Sequence, residues 1–398
     1  MNSELKFLPI NWENGMTFSA DHLNQQYLAV VDGVRDATAL PLTSSNYGLL
    51  GGESQKKYAD SFRDTINNEK VVVSHCRAIT QNGSRIEIVN RDWDGLNKTL
   101  SDLIGIKSLD TSKYWYVLLI VDPFTRIPEG MENENERKRR KPNTRPTYRL
   151  ELYSLKDMQQ DNLANAIPIA KYETRASGLK KMDDYIPPCT RLNSHRLLIE
   201  KYEEFDAFLN NLKNDSFKII EKIRNKRRNR EQNDLADDID ALCQQYADHF
   251  VRTYDEFKLC LVDQPPLYLV AFFARMARVL NHSLDMAINK GHLLQYFHQY
   301  ATNVSAAQLE QIIRRVFESN YFHYDISQSL MVIDEFLSTF NEIFQSLVKL
   351  DYRELAPRNV VKRDIISDVN QDMGRETSSR TIKIKHTGKE KFLGDDLE

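Results

Sequence analysis

Apolar residues change their period midway along this chain. Up to about residue 190 they alternate with polar ones or cluster in short runs broken by turn signals. From Leu198 onward they recur every third or fourth position. The first pattern predicts strands and the second predicts helices. Val71–Val73 and Ala78–Thr80 lead into Asn82-Gly83, and Arg85-Ile-Glu-Ile-Val alternates after it. Asn-Gly between alternating segments predicts a β-hairpin. Tyr114–Val121 reads as a strand apolar on both faces, ended by Asp122-Pro123. Thr147–Leu155 sets Tyr148, Leu150 and Leu152 against Arg149, Glu151 and Tyr153. Ala166–Tyr172 is a further short strand, and its Pro168 argues for an edge position. Glu129–Pro146 has almost no apolar residue and reads as a solvated loop.

In the second half, Leu198, Tyr202, Phe205, Leu209, Leu212, Ile219 and Ile223 form a heptad seam that only Ser216 interrupts. A second seam runs through Ile239, Leu242, Tyr246, Phe250, Tyr254, Phe257 and Leu261, after a polar turn at 225–234. Asp263 can cap a third helix that tolerates Pro265 and Pro266 in its first turn and runs to about Ser283. A short helical segment leads on to Gly291. Ser305-x-x-Gln308 is a capping box, and a last helix carries Leu330, Ile333, Leu337, Phe340, Phe344 and Leu347. After Asp368 the chain is polar, except for the alternating Thr381–Lys385. The pattern therefore predicts an α+β fold with β structure first and a helical bundle second.

Composition narrows the function. The 398 residues are 41% hydrophobic and 28% charged, with a net charge of −3. That balance argues against a dedicated nucleic-acid coat or a polybasic membrane binder. Cys76, Cys189, Cys243 and Cys260 are too scattered for a zinc ribbon or a CxxC pair, and they read as the thiols of an intracellular protein. Met1–Trp12 lacks a signal-peptide pattern, and Val117–Val121 is too short to span a bilayer. The expected location is cytoplasmic.

Candidate chemistry is thin. Gly48-Leu-Leu-Gly51-Gly52 lacks the Lys-Ser/Thr of a phosphate loop and reads as a turn. No histidine pair has metal-ligand spacing, and no nucleophile elbow occurs. Glu203-Glu204 and Asp237-Asp238 read as solvated helix faces. Neither catalytic residue, metal nor cofactor is expected. The basic runs Arg137–Lys141 and Lys222–Arg230 could each contact phosphate. The second is followed by Glu231, Asp234, Asp237, Asp238 and Asp240, and a helical hairpin would bring the opposite charges together. A nucleic-acid-binding or other scaffold protein using the basic loop 136–149 is the alternative to the reading below.

A set of motifs resembles the baseplate subunit TssK of bacterial type VI secretion systems. It comprises Trp12-Glu-Asn-Gly15-Met16, Asp21-His22-Leu23-Asn24-Gln25-Gln26-Tyr27, Tyr47-Gly48-Leu49, Ile167-Pro168-Ile169-Ala170, Tyr185-Ile186-Pro187-Pro188-Cys189 and Gln264-Pro-Pro266-Leu267-Tyr268. Leu23 and Asn24 depart from the family, where Phe and Gln are usual. The resemblance spans about residues 5 to 350.

The resemblance implies a non-enzymatic structural adaptor. Its fold would be an N-terminal antiparallel β-sandwich, or shell, over residues 1–190, a helical bundle stalk over 191–356, and a short C-terminal tail over 357–398. The tail replaces the family's compact head. The implied assembly is a homotrimer, joined to the wedge proteins TssF and TssG and to an inner-membrane complex. Phe7, Leu8, Trp12, Gly15, Met16, His22 and Tyr27 are the expected wedge interface. Pro168, Ile186, Pro187 and Pro188 form the expected domain junction. Leu198, Tyr202, Phe205, Leu209 and Leu212 are the expected oligomer seam, although a heptad seam can equally pack within one chain. No nucleic acid is expected.

Overall fold

A computed structural model describes residues 4–52, 61–89, 93–105, 109, 112–132, 137, 139–160, 163–227 and 234–350. The expected tail, with Thr381–Lys385, lies outside the described residues.

The chain opens with a helix that periodicity did not predict, α1 (Ala20–Ala39), N-capped by Ser19. Two antiparallel sheets follow. In the first, β3 (Lys70–Ile79) pairs with β1 (Gly48–Leu49), β2 (Phe62–Ile66), β4 (Arg85–Ile88) and β5 (Asn97–Thr99). The predicted hairpin is β3–β4, with Ala78 opposite Ile86 and a positive φ at Gly83. Short helix α2 (Leu100–Ile104) starts from a Thr99–Asp102 capping box.

The second sheet has the order β7-β6-β8-β9, from β6 (Tyr114–Glu129), β7 (Asn143–Ser154), β8 (Ala166–Arg175) and β9 (Gly178–Lys181). Helix α3 (Leu155–Gln160) follows β7. Val71, Val73, Ala78 and Ile86 of the first sheet share one apolar core with Val117, Leu119, Leu150, Leu152 and Ile167 of the second. The β half is thus the expected sandwich, closed by the inward residues of each strand.

Three local expectations need correction here. β6 does not stop at Asp122-Pro123. The register with β7 shifts between Asp122 and Arg126, and pairing resumes as far as Glu129 with Asn143. A bulge lets the strand pass the proline without breaking the ladder. The solvated loop is accordingly shorter than 129–146, because both ends of that stretch are strand. Pro168 lies on a strand paired on both sides, not on an edge strand. Even so, β9 reaches only Tyr172–Arg175, so Pro168 stands beyond its pairing partner.

The helical half follows the sequence pattern closely. It comprises α4 (Arg196–Arg227), α5 (Asp234–Leu259), α6 (Pro266–Asp285), α7 (Lys290–Tyr296), α8 (Ala306–Glu318) and α9 (Ile326–Lys349). Helix α4 has 32 residues, about 48 Å at 1.5 Å per residue. It packs on α5 and α9, while α6 packs on α5 and α8. Leu198, Tyr202, Phe205, Leu209 and Leu212 are all buried. Within the single chain this expected oligomer seam is already covered by α5, α6 and α9. Tyr202 stacks on Phe257 at 4.6 Å, and Phe205 meets Phe273 edge-on at 5.1 Å. Ser216 interrupts the stripe without a penalty, since its buried hydroxyl donates to the Leu212 carbonyl.

Helix starts refine the sequence reading. The Ser305–Gln308 capping box is present. Pro265, not Asp263, occupies the N-cap of α6, and Asp263 instead accepts from Asn193 at 3.2 Å. Gly291 does not end a helical segment; it lies in the first turn of α7, behind the Asn289 cap. The opposite charges at the α4–α5 turn do meet: Arg227 pairs with Asp237, and with Asp240 at 2.9 Å.

Candidate partner interface

The N-terminal arm is tied along α1. Its Lys6 and Phe7 backbone N–H groups both donate to Asp32, and the Ile10 N–H donates to Gln26 at 3.0 Å. Trp12 then meets His22 edge-on at 6.1 Å. The arm therefore runs antiparallel to the helix. Asp32 is fully buried, and Arg35 donates to it at 2.8 Å. Burial raises its pKa, but the hydrogen bonds from Arg35, Phe7 and Lys6 outweigh that and hold the carboxyl below its ordinary value.

Arg35 extends the linkage to the sandwich, because its guanidinium donates to the Asn82 carbonyl at 3.3 Å. A Cβ at Gly83 would stand 2.2 Å from the Arg35 carbonyl, so the hairpin turn admits only glycine under α1. The Asn-Gly pair thus turns the strand and also seats the helix.

The consequence is a helix with inverted sidedness. Its inner face carries Asp32 and Arg35, both buried. Its outer face carries Leu23, Tyr27, Val30 and Val34, between 46% and 62% exposed. A surface helix ordinarily turns its apolar stripe inward. Beside it the arm presents Leu8, Trp12, Met16 and Phe18, all exposed, with Trp12 and Phe18 stacked at 5.6 Å. An apolar patch of this kind on a folded chain marks an interaction site.

Each expected wedge residue has a definite place. Phe7 is half-buried against Phe124 at 4.9 Å. Leu8, Trp12, Met16 and Tyr27 are exposed. Gly15 has a φ of 84° and open space around it, so a turn requires it and not a close approach. His22 is half-buried, its N–H donating to the Ser19 cap. Tyr27 carries the Arg126 guanidinium over its ring at 5.4 Å. Phe18, Leu23, Val30 and Val34 were missed. Their signal was the spacing of four, three and four from Leu23 to Val34, hidden by the strand-like reading of the first half.

The expected junction residues also come together, and with an unexpected partner. The Leu49 N–H donates to the Pro188 carbonyl at 2.7 Å, and the Thr190 N–H returns to the Leu49 carbonyl at 2.9 Å. The Ile186 N–H donates to Ser327, whose hydroxyl donates to the Asp184 carbonyl. Tyr185 reaches the Pro168 and Tyr324 carbonyls. Beneath them Lys171 pairs with Asp325 at 2.6 Å, both buried. Tyr116 and Gln328 donate to the same carboxylate oxygen. His323 bonds the Tyr47 carbonyl at 2.8 Å and Tyr321 at 2.7 Å, and burial lowers its pKa to about 4. A neutral ring with its proton on Nε2 satisfies both contacts.

Of the basic stretch 136–149, two residues on β7 are engaged within the chain. Arg145 lies 4.0 Å over the Trp93 ring, and Arg149 pairs with Glu151 at 2.6 Å. Among the described residues no group of three His, Cys, Asp or Glu could hold a metal ion. No described helix is long and apolar enough to cross a membrane.

No family model matches the chain, and no curated protein does. Among solved structures it is similar to a chain of the type VI secretion system TssK-TssF-TssG baseplate subcomplex. Identity there is 14% and the TM-score 0.45, over 85% of this chain and 100% of that one. It is similar to TssK in a crystal structure at 13% identity and a TM-score of 0.47, over 82% of this chain and 69% of that one. TssK of the EAEC system, in complex with a nanobody, gives 15% identity and a TM-score of 0.44, over 80% and 68%.

The chemistry of the arm and helix is that of docking. Its outward groups are aromatic and aliphatic, and Asp32 and Arg35 on the inner face of the helix pair with each other within the chain.

Proposed function

We propose that this chain is a non-enzymatic structural subunit of a type VI secretion baseplate. In this reading it works in the cytoplasm as a homotrimer, holding the TssF/TssG wedge and linking it to an inner-membrane complex. The sandwich, residues 1–190, faces the wedge, and the bundle, 191–356, forms the stalk. The observation that carries the reading is the pinned N-terminal arm. It is ordered by buried polar contacts, yet it turns Leu8, Trp12, Met16 and Phe18 outward. Such aromatic anchors dominate binding when a partner buries them. The motif series from Trp12 to Tyr268 supplies the type of partner.

Co-expression with TssF and TssG tests this. Trp12→Ala with Met16→Ala should abolish co-purification with the wedge proteins while leaving the melting temperature unchanged. Substitution is cleaner than deleting residues 1–20, which would also strip Asp32 of its two backbone donors. Undiminished wedge binding by the double variant would remove the arm from the interface. Failure of the native chain to bind TssF or TssG would overturn the reading.

A further inference from the structure

Charge is segregated along this chain, and the β6–β7 hairpin holds a cationic share. Residues 126–149 carry eight Lys or Arg and four Glu, a balance of +4 in a chain whose net charge is −3. The rest of the chain therefore carries −7. The cations are concentrated on the returning side, where residues 137–149 hold seven of them and no carboxylate.

Backbone geometry carries that charge beyond the sheet. β8 pairs with β6 only as far as Ile120 with Ala166. β6 and β7 continue alone, from Arg126 with Pro146 to Glu129 with Asn143. The Arg126 guanidinium ties the two strands, donating to the Thr144 carbonyl at 2.6 Å and to its hydroxyl at 3.2 Å. Gly130, with a φ of 102°, turns the chain against Pro142. Past that closure Arg137, Arg139 and Lys141 are exposed and make no ion pair with any described residue. Glu129 and Glu132, the described carboxylates of the hairpin, pair with none of them. Clustered like charge destabilises a compact chain by self-repulsion, and here that repulsion is not offset by described carboxylates.

Two observations say what kind of anion the cluster fits. The rings near the hairpin are already engaged: Trp93 carries Arg145 at 4.0 Å and stacks on Tyr148 at 5.5 Å, and Tyr27 carries Arg126. Neither Trp93 nor Tyr27 is left to stack a base, the usual anchor of single-stranded nucleic acid. The −7 on the rest of the chain also opposes a long polyanion such as a DNA duplex. A short acidic stretch of protein meets both conditions. From Arg137 to Lys141 the chain reaches at most about 14 Å, the span of a few Asp or Glu residues in an extended segment.

We infer that the tip of the β6–β7 hairpin, through Arg137, Arg139 and Lys141, docks an acidic segment of a partner protein. The root of the hairpin adjoins the arm, where Phe124 meets Phe7, and adjoins α1, where Arg126 covers Tyr27. A partner seated on the arm thus has the hairpin beside it. That this partner is the wedge rests on the proposed function. Charged contacts at the rim of an apolar patch act mainly on association rate and on salt dependence.

Fluorophore-labelled decaglutamate is a probe that does not depend on the wedge. Fluorescence anisotropy with the full native chain should show binding that weakens as salt rises through about 0.15 M, where charges are screened beyond about 8 Å. Arg137→Glu with Arg139→Glu and Lys141→Glu should weaken it on the order of 10-fold or more. Arg137→Gln with Arg139→Gln and Lys141→Gln should give a smaller loss. Melting temperatures should not change, because all three side chains are exposed. The triple Glu variant should also slow association with TssF and TssG on the order of 10-fold. A native chain that ignores the peptide, or a triple Glu variant that binds it undiminished, overturns the site. Tighter binding of a DNA oligonucleotide than of the peptide, at equal charge, overturns the choice of a protein partner. If the native chain and the triple Glu variant bind TssF and TssG equally fast, the hairpin's part in wedge docking is overturned and the proposed function stands. If the native chain binds the peptide and not the wedge, the proposed function falls and the site stands.

Discussion

Gly48 stands directly against Pro188: a Cβ at position 48 would lie 2.0 Å from the Pro188 carbonyl oxygen. The contact brings Tyr47-Gly48-Leu49 onto Ile186-Pro187-Pro188-Cys189 from 140 residues away, in a parallel bridge between Leu49 and Cys189. The first motif belongs to the sandwich, and the second leads into the 32-residue helix α4. Two short motifs that look unrelated in the sequence are therefore one structural feature.

Gly48→Ala should be severely destabilising. The clash is with backbone, which cannot rotate away, and the φ of 110° is closed to alanine. A loss of about 3 kcal/mol or more is expected in urea unfolding. A change below about 1 kcal/mol would mean that the strand and the Pro188 loop can separate without cost.

Asp325→Ala should cost about 3–5 kcal/mol, because it leaves the buried Lys171 ammonium without its counter-ion. The Tyr116 hydroxyl and the Gln328 amide would lose their acceptor too. Lys171→Met with Asp325→Leu removes both charges and should be far milder. Equal losses in the single and double variants, measured by chemical denaturation, would show that the ion pair is not the source of the effect.

His323 should make stability fall as pH falls. Its folded pKa of about 4 lies below the ordinary 6.5, so the unfolded chain binds the proton more readily. The contribution is complete above about pH 6.5 and is lost progressively as pH approaches 4. At 1.36 kcal/mol per unit, the upper bound is about 3 kcal/mol. His323→Gln, compared with the native chain at pH 7 and pH 4.5, should flatten the dependence. An unchanged slope would place the titrating group elsewhere.

Asp32→Ala should release the arm. Lys6 and Phe7 lose their shared acceptor, and buried Arg35 loses its carboxylate. Hydrogen exchange at residues 6–10 should accelerate on the order of 10-fold or more, while β6 and α4 keep their protection. Wedge binding should weaken with it, since Trp12 is then no longer held beside His22. Slow exchange at residues 6–10 in this variant would mean that the other contacts of the arm, Phe7 on Phe124 and Ile10 on Gln26, hold it without Asp32.

Local pattern alone determined much of this protein. The apolar steps from Leu198 to Ile223 and from Ile239 to Phe257 became α4 and α5, and Ser305 with Gln308 capped α8, because helical periodicity and capping act within a few residues. Asn82-Gly83 turned β3 into β4 for the same reason. Tertiary structure decided what each stripe faces. The α4 heptads look like an oligomer seam, but a stripe specifies burial and not the partner, and α5 and α9 supplied that within the chain. In α1 the opposite occurred: Asp32 and Arg35 went inside and Leu23, Tyr27, Val30 and Val34 stayed out. No period reveals that choice, because it depends on acceptors and donors brought in by the arm and by the Asn82 carbonyl. The same holds for Lys171 and Asp325, whose burial is tolerable only because residues 154 positions apart meet. A charged side chain in a sequence reads as solvated until the fold provides its counter-ion.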